Sequence, residues 1–307
     1  MTTLRTCPVC GGRELESFCE AEDRLRIGPD PVYRILRCPD CGLGLTHPWI
    51  DPSRIGRWYP DGYYGEVERP IAELLDGSWQ GTSSWRGEWE KAKLVERYRS
   101  TGRLLDVGCA EGKFLWVLDP ARWQRWGLEF NVELVERVQG RVPQVRLLAG
   151  GIEDLDPGAH QFDVVTMWHV FEHLPDPAAT LDALRRLVTT GGFLFISLPR
   201  FDSVQARLFR RDWYPFTDVP RHYYHYSRAA LERLLVSRGW EPLHCIFFSR
   251  AVNFHCWKYS LRSVASRRWG SGKLYYPLKP LLHVAALVEG VTHAFGTMTW
   301  VARRPAG

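Results

Sequence analysis

Residues 104–115, Leu104-Leu105-Asp106-Val107-Gly108-Cys109-Ala110-Glu111-Gly112-Lys113-Phe114-Leu115, decide the fold. A short apolar run ends on a carboxylate and a glycine turn, and apolar residues then resume as a helix begins, which is a strand–turn–helix signature. Gly108 and Gly112 allow a ligand close to the backbone, and the amides opening the helix offer a partly positive surface.

Working outward, strand and helix patterns alternate. Glu88 to Arg99 predicts a helix, 125–129 a second strand, and Asn131 the cap of a helix carrying Leu134, Val135 and Val138. Further strands are expected at 145–148, 162–168, 193–198 and 297–303, with helices at 180–188 and, capped by Ser227, at 228–238. Gly191-Gly192 is expected to end the first of these. The alternation predicts an α/β protein built on a doubly wound parallel sheet, with ligands bound at the carboxyl ends of its strands. Glu129 closes the second strand, 23 residues after Asp106, where a carboxylate accepts ribose hydroxyls. Neither G-x-G-x-x-G nor G-x-x-x-x-G-K-[ST] is present, so a phosphate-cradling turn is not expected.

With these residues on view, the chain resembles class I S-adenosylmethionine-dependent methyltransferases over about residues 86–240. Leu104–Leu115 is similar to their first motif and Trp126-Gly-Leu-Glu-Phe-Asn to their second-strand acidic motif. Gly150-Gly-Ile-Glu-Asp-Leu resembles their adenine loop, and Val170-Phe-Glu-His-Leu-Pro-Asp-Pro their signature after strand four. The resemblance implies a mostly parallel seven-stranded sheet and S-adenosylmethionine as cofactor. It places Asp106, Gly108, Cys109, Ala110 and Gly112 at the methionine end, Glu129 and Phe130 at the ribose, Ile152 and Glu153 at the adenine, and Trp168 and His169 on the methionine side. Ala110 stands where the middle glycine is usual, and Gly151 where many relatives carry Asp.

Four of the eight cysteines form two C-P-x-C-G pairs, Cys7/Cys10 and Cys38/Cys41, with 27 residues between them. Two such turns facing each other make a tetrahedral S4 set suited to structural Zn(II). Cys19, Cys109, Cys245 and Cys256 lack that spacing and are expected to be small buried hydrophobes. The expected organisation is a zinc ribbon at 1–48, a connector or lid at 49–85 with a short helix capped by Asp51, and the catalytic domain at 86–307, with a basic helical insertion at about 251–295. The ribbon, with Pro48-Trp-Ile-Asp-Pro and Tyr59-Pro-Asp-Gly-Tyr-Tyr, is similar to that of methyltransferases of bacterial polysaccharide and natural-product pathways.

Transfer to a hydroxyl requires alignment of the acceptor and removal of its proton. In the resembling enzymes a histidine of the segment corresponding to 218–227 lies in the acceptor pocket. This makes His222 the expected general base, with His225 and His169 as further catalytic candidates. His169, Glu172 and His173, joined by His222, are a candidate second divalent-metal site. The expected reaction is methylation of a hydroxyl on a sugar, glycan or natural product. A deoxysugar C-methyltransferase and an RNA methyltransferase using the ribbon are the alternatives.

Forty Lys and Arg against 35 Asp and Glu give a net charge of +5. The excess is local: no acidic residue lies between Glu241 and Glu289, where seven basic residues fall, and 33 basic residues face 35 acidic ones elsewhere. The near-neutral body argues against nucleic acid as the partner, and the resemblance implies a small-molecule, sugar or lipid-linked glycan acceptor. The basic stretch raises peripheral membrane contact. With no run of eighteen apolar residues and no secretory signal, a soluble cytoplasmic protein is expected.

Overall fold

The computed structural model describes residues 6–27, 32–60, 83–141, 144–246, 250–292 and 295–306. Residues 61–82, most of the expected lid, lie outside the described residues.

The chain begins with three short strands, β1 (Glu16–Glu22), β2 (Val32–Arg37) and β3 (Gly44–His47). Then come α1 (Ser83–Glu96), β4 (Gly102–Val107), α2 (Lys113–Val117), β5 (Trp123–Glu129), α3 (Val132–Val138), β6 (Val145–Ala149) and β7 (Phe162–Trp168). They are followed by α4 (Pro177–Leu187), β8 (Val188–Pro199), α5 (Val204–Phe209), β9 (Tyr224–His225), α6 (Arg228–Ser237) and β10 (Glu241–Ile246). The chain ends with α7 (Arg250–Trp269), α8 (Lys279–Thr292) and β11 (Thr297–Arg303).

Seven strands form one sheet in the order β10-β11-β8-β7-β4-β5-β6. All pairs from β8 to β6 are parallel, and β11 is antiparallel to both neighbours. This is the doubly wound, mostly parallel sheet that the alternation predicts. β4 is central because its run is buried on both faces: Leu104 packs with Phe114 and Leu115 of α2 and Trp85 and Val95 of α1. Leu105 faces the other layer, with Leu181 and Leu184 of α4 and Leu231, Leu234 and Leu235 of α6. The chain leaves β4 toward β5 on one side and returns through β7 on the other, so the crevice at the end of β4 is the switch point.

Asn131, Asp176 and Ser227 cap α3, α4 and α6 by accepting from amides three residues on. Asp51 caps the short 3-10 helix at 52–58. Three boundaries differ from expectation. α1 starts at Ser83 rather than Glu88. β8 starts at Val188, because Gly191, at φ +76°, carries the strand through the glycine pair instead of ending a helix there. β10, half-buried along its length, escaped the pattern reading.

The second sheet contains a strand from a distant part of the chain. Its order is β1-β2-β3-β9, and β9 pairs through Gly44 with His225 and Leu45 with Tyr224. Gly44 permits this approach, since a Cβ there would lie 2.8 Å from the His225 Cβ. A third apolar cluster fills the seam, with Tyr33 and Ile35 of β2 against Phe201, Trp213, Phe216 and Val219.

An ion pair ties the same seam. Arg221, fully buried, donates to Asp23 at 2.9 Å, to Asp218 at 2.9 Å and to the Trp58 carbonyl at 3.0 Å. Asp23, equally buried, also accepts from the amides of Leu25 and Ile27. Removing one partner of such a pair leaves a buried charge uncompensated. Arg221→Met should therefore lower the unfolding free energy by about 3–5 kcal/mol. Arg303→Met, which breaks the exposed pair with Glu241, should cost less than about 1 kcal/mol. Denaturant titration of both variants checks this, and equal losses would contradict it.

Candidate active site

At the end of β4, Asp106 is buried and accepts from the Thr166 hydroxyl at 2.6 Å. Burial pushes its carboxyl up to about 7, against the Thr166 bond and the nearby Lys91. A cationic group entering beside it would restore the carboxylate. Thr166 is the polar residue of β7 in register with Asp106, so a lone threonine in a buried strand was the available signal.

The turn after β4 is held open by backbone geometry. Gly108 and Gly112 adopt φ +67° and +79°, and Ala110 takes φ +47°, where a Cβ is disfavoured. Val170 packs against Gly108 so closely that a Cβ there would meet it at 2.5 Å. Glu129, buried at the end of β5, accepts from the Ala110 amide at 2.9 Å and the Asn131 amide at 3.0 Å. Each oxygen keeps a lone pair for a further donor such as a hydroxyl. Phe130, beside it, is 75% exposed. On the adjoining loop Ile152 is buried, while Glu153 is exposed. The Gly151 amide donates to Asp154 at 2.7 Å, a contact that the sequence reading did not assign. Cys109 is buried under the turn, and burial raises its thiol. Trp168 lies under Phe114, with Lys91 over its ring. The turn after β4 lacks the glycine pattern that cradles phosphates.

A polar cluster stands beside this crevice, between the end of β7 and residues 218–225. His222 Nε2 lies 3.5 Å from Asp218 and 4.0 Å from Glu172, and His169 Nδ1 lies 3.6 Å from Glu172. His169 holds φ +60°, an unusual conformation for histidine. His173 lies edge-on to His222 with centroids 4.5 Å apart, and its Nδ1 meets the Tyr59 hydroxyl at 3.0 Å. Glu172 is 1% exposed, and among the described residues neither carboxylate oxygen accepts a hydrogen bond. Burial lowers His222 and His173 to about 4, opposed at His222 by Asp218, so both rings are neutral near pH 7. Burial also raises the Asp218 carboxyl, but His222 and Arg221 outweigh it and hold that group well below the usual range.

His225 has a different environment. The Thr46 hydroxyl donates its proton to the His222 carbonyl at 2.6 Å, so it accepts from His225 Nε2 at 3.0 Å. That bond fixes a proton on Nε2 and removes this nitrogen as a base. Of the three candidate histidines, His222 and His169 face the polar cluster and His225 faces Thr46. Asp218, Arg221, Thr46 and Tyr59 were not singled out from sequence, because each acts across more than a hundred residues or through a neighbour.

The four sulfurs of Cys7, Cys10, Cys38 and Cys41 lie within 4.8 Å of one another. The Cys7–Cys41 and Cys10–Cys38 separations are 3.5 Å each. Tetrahedral Zn–S bonds would put sulfurs about 3.8 Å apart, so the set fits such an ion. The two turns match: the amides of Gly11 and Gly42, at φ +76° and +73°, donate to the Cys7 and Cys38 carbonyls. The Ser227 hydroxyl, which caps α6, also donates to the Cys41 carbonyl at 3.1 Å. Cys19, Cys245 and Cys256 stand apart, their thiols pushed up by burial to about 12, 11 and 12. A separate cavity of about 530 Å³, ringed by Arg185, Arg186, Arg238 and Arg304, lies at the helix C-termini, opposite the crevice.

Residues 88–245 match the family described as "Methyltransferase domain". Among curated proteins, one of Mycolicibacterium smegmatis named as an S-adenosylmethionine-dependent methyltransferase is 28% identical over 148 residues, covering 47% of this chain and 54% of its own. The ubiquinone biosynthesis O-methyltransferase of Leptothrix cholodnii is 34% identical over 106 residues, covering 31% and 43%. The chain thus spans about half the length of the curated relatives it matches. Among solved structures, a chain from the complex of the Haloferax volcanii Trm112 methyltransferase activator with a methyltransferase aligns with TM-score 0.50 at 18% identity. It covers 77% of this chain and 98% of its own, which shows a shared fold.

The buried histidines give the protein a pH dependence of stability. His222 and His225 both titrate below 6.5 in the folded chain, so the unfolded chain binds more protons as pH falls below 6.5. Unfolding free energy should therefore decline on acidification from about 6.5 toward 4, by up to roughly 1 kcal/mol per pH unit for each histidine. Denaturant titrations across that range test it. A flat profile, or one unchanged in His225→Gln, would contradict the assignment.

Proposed function

The chain belongs to the methyltransferase-domain family, and from that premise we propose that it methylates a hydroxyl of a sugar, glycan or natural-product acceptor, with His222 as general base. S-adenosylmethionine, when bound, supplies an electrophilic methyl group on a sulfonium. Asp106 would receive its cationic methionine end, Glu129 its ribose hydroxyls, and the loop at Ile152 and Glu153 its base, with Phe130 and Trp168 flanking. His222 takes the proton of the acceptor hydroxyl as the new O–C bond forms and the methyl's bond to the sulfonium sulfur breaks, and Asp218 and Glu172 stabilise the resulting imidazolium. The O-methyltransferase named among the relatives supports this direction. The observation that carries the reading is a buried neutral imidazole held between two carboxylates beside the Asp106–Glu129 crevice. In the same reading the four N-terminal cysteinates hold a structural zinc ion whose task is to fix the ribbon.

A second reading shares this geometry. Donor atoms of Glu172, His173 and His222 lie within 4.8 Å of one another, a spacing open to a divalent cation that would bind the acceptor oxygen and lower its pKa. The unpartnered Glu172 carboxylate supports it.

His222→Gln separates the two roles from cofactor binding. Calorimetric affinity for S-adenosylmethionine should stay within about twofold, while turnover with a hydroxyl acceptor falls about 10²–10⁴-fold. Unchanged turnover would refute the base. Full wild-type activity after EDTA, with the ribbon metal retained, would refute the second reading. Loss of cofactor binding in Asp106→Asn with Glu129→Gln is expected, and its persistence would refute the crevice.

A further inference from the structure

Of the thirteen exposed large hydrophobic residues among those described, eight lie on α5, on α8, at the last residue of α7 and on the segment joining α7 to α8. Leu281, Val284 and Val288 are 62%, 57% and 53% exposed and follow helical spacing along one face of α8. Their outward direction is fixed by the opposite face. Leu282 is buried, and buried Glu289 accepts from Trp257 Nε1 at 2.7 Å and from Gln205 Nε2 at 2.9 Å. The Gln205 contact joins α8 to α5, whose Val204 and Leu208 are also exposed. Trp269 and Tyr276 lie open toward the α7 end. A monomer rarely leaves apolar residues this concentrated on one side.

The charge around the stripe is of one sign. Arg207, Arg262, Arg268 and Lys273 are exposed, and no acidic residue occurs between Glu241 and Glu289. Asp212, which packs against α7, is occupied by Arg267 and Ser263, and Glu289 on α8 is buried. A second copy of the chain would place this basic surface against itself, which charge opposes. Leucine and valine are also uncommon as anchors of protein–protein contacts. Aliphatic residues in a helical stripe, aromatic residues at one end and arginine or lysine beside them are the composition of a segment that lies in a lipid interface.

We propose that α8, with α5 and the α7–α8 connection, docks this protein onto an anionic lipid surface. No helix among the described residues is long and apolar enough to cross a membrane, so the contact is peripheral. α7 also meets the acceptor side, since the Tyr214 amide donates to Ser260 at 2.9 Å just before residues 218–222. Given the function proposed above, on which this point rests, docking would bring the acceptor pocket to glycans carried on lipid.

Flotation of the full chain with phosphatidylcholine vesicles, alone or containing phosphatidylglycerol, tests the proposal. The protein should rise with the anionic vesicles at low salt, remain behind with the neutral ones, and be released as salt increases. Leu281→Asp with Val284→Asp, and separately Arg268→Glu with Lys273→Glu, should each cut vesicle-bound protein about tenfold or more. Thermal melting should be unchanged, because these residues are exposed. Absence of flotation, or flotation of both double variants equal to that of the unaltered chain, overturns the proposal. So does a dimer in sedimentation that only the Leu281→Asp, Val284→Asp chain fails to form. Calorimetry with S-adenosylmethionine on the same samples reports the crevice separately, so failure of docking and failure of the methyltransferase reading are distinguishable.

Discussion

The pairing of β3 with β9 is the contact on which the polar cluster around His222 depends, because a buried backbone must find hydrogen-bond partners and this one finds them in the N-terminal sheet. The Tyr223 carbonyl accepts from the Thr46 amide, and the His222 carbonyl from the Thr46 hydroxyl. On the other side the Tyr223 amide reaches the Glu172 carbonyl, and the Tyr226 carbonyl accepts from the Phe201 amide. Residues 222–226 are thus held between the N-terminal sheet and the loop after β7. A sheet of three short strands has little core of its own, so its rigidity has to come from the cysteine cluster and from the seam.

Electrostatics reinforces this arrangement. Asp23, Asp218 and Glu172 are carboxylates in or near a region with little water, and Arg221 supplies the buried positive charge that two of them need. Glu172 is left facing neutral histidines. A group that gains positive charge there lies beside the Asp218 carboxylate, which Arg221 helps to keep ionised. The crevice at Asp106 and Glu129 is built differently: one carboxylate is raised by burial and the other is oriented by amides. The two halves meet where Val170 packs over Gly108.

Much of the sheet was legible in the sequence because strands buried on both faces read as almost uniformly apolar runs, as Phe162–Trp168 does. Asp106 and Glu129 were legible because the switch point of such a sheet dictates where polar residues gather. The cysteine cluster was legible from spacing alone. β9 was not: two residues carry no periodicity, and their strand character exists only because Gly44 and Leu45 lie opposite. β10 was missed for want of a buried face. Arg221 looks in sequence like any surface arginine, and its partner Asp23 is nearly two hundred residues away. The different environments of His222 and His225 depend on one hydroxyl proton of Thr46, which no local pattern encodes. The α8 stripe fell within what read in sequence as a basic helical insertion, and its exposure appeared only once Glu289 was seen to occupy the inner face.

The most direct measurement is amide hydrogen exchange of the chain supplied with Zn(II), before and after the ion is removed by a chelator. The account predicts that protection at residues 222–226 is lost together with that of β2 and β3, while β4, β5 and β7 keep theirs. If the N-terminal strands lose protection and residues 222–226 do not, or if the chain carries no metal and its cysteines exchange no differently after chelation, the coupling of ribbon to site is contradicted.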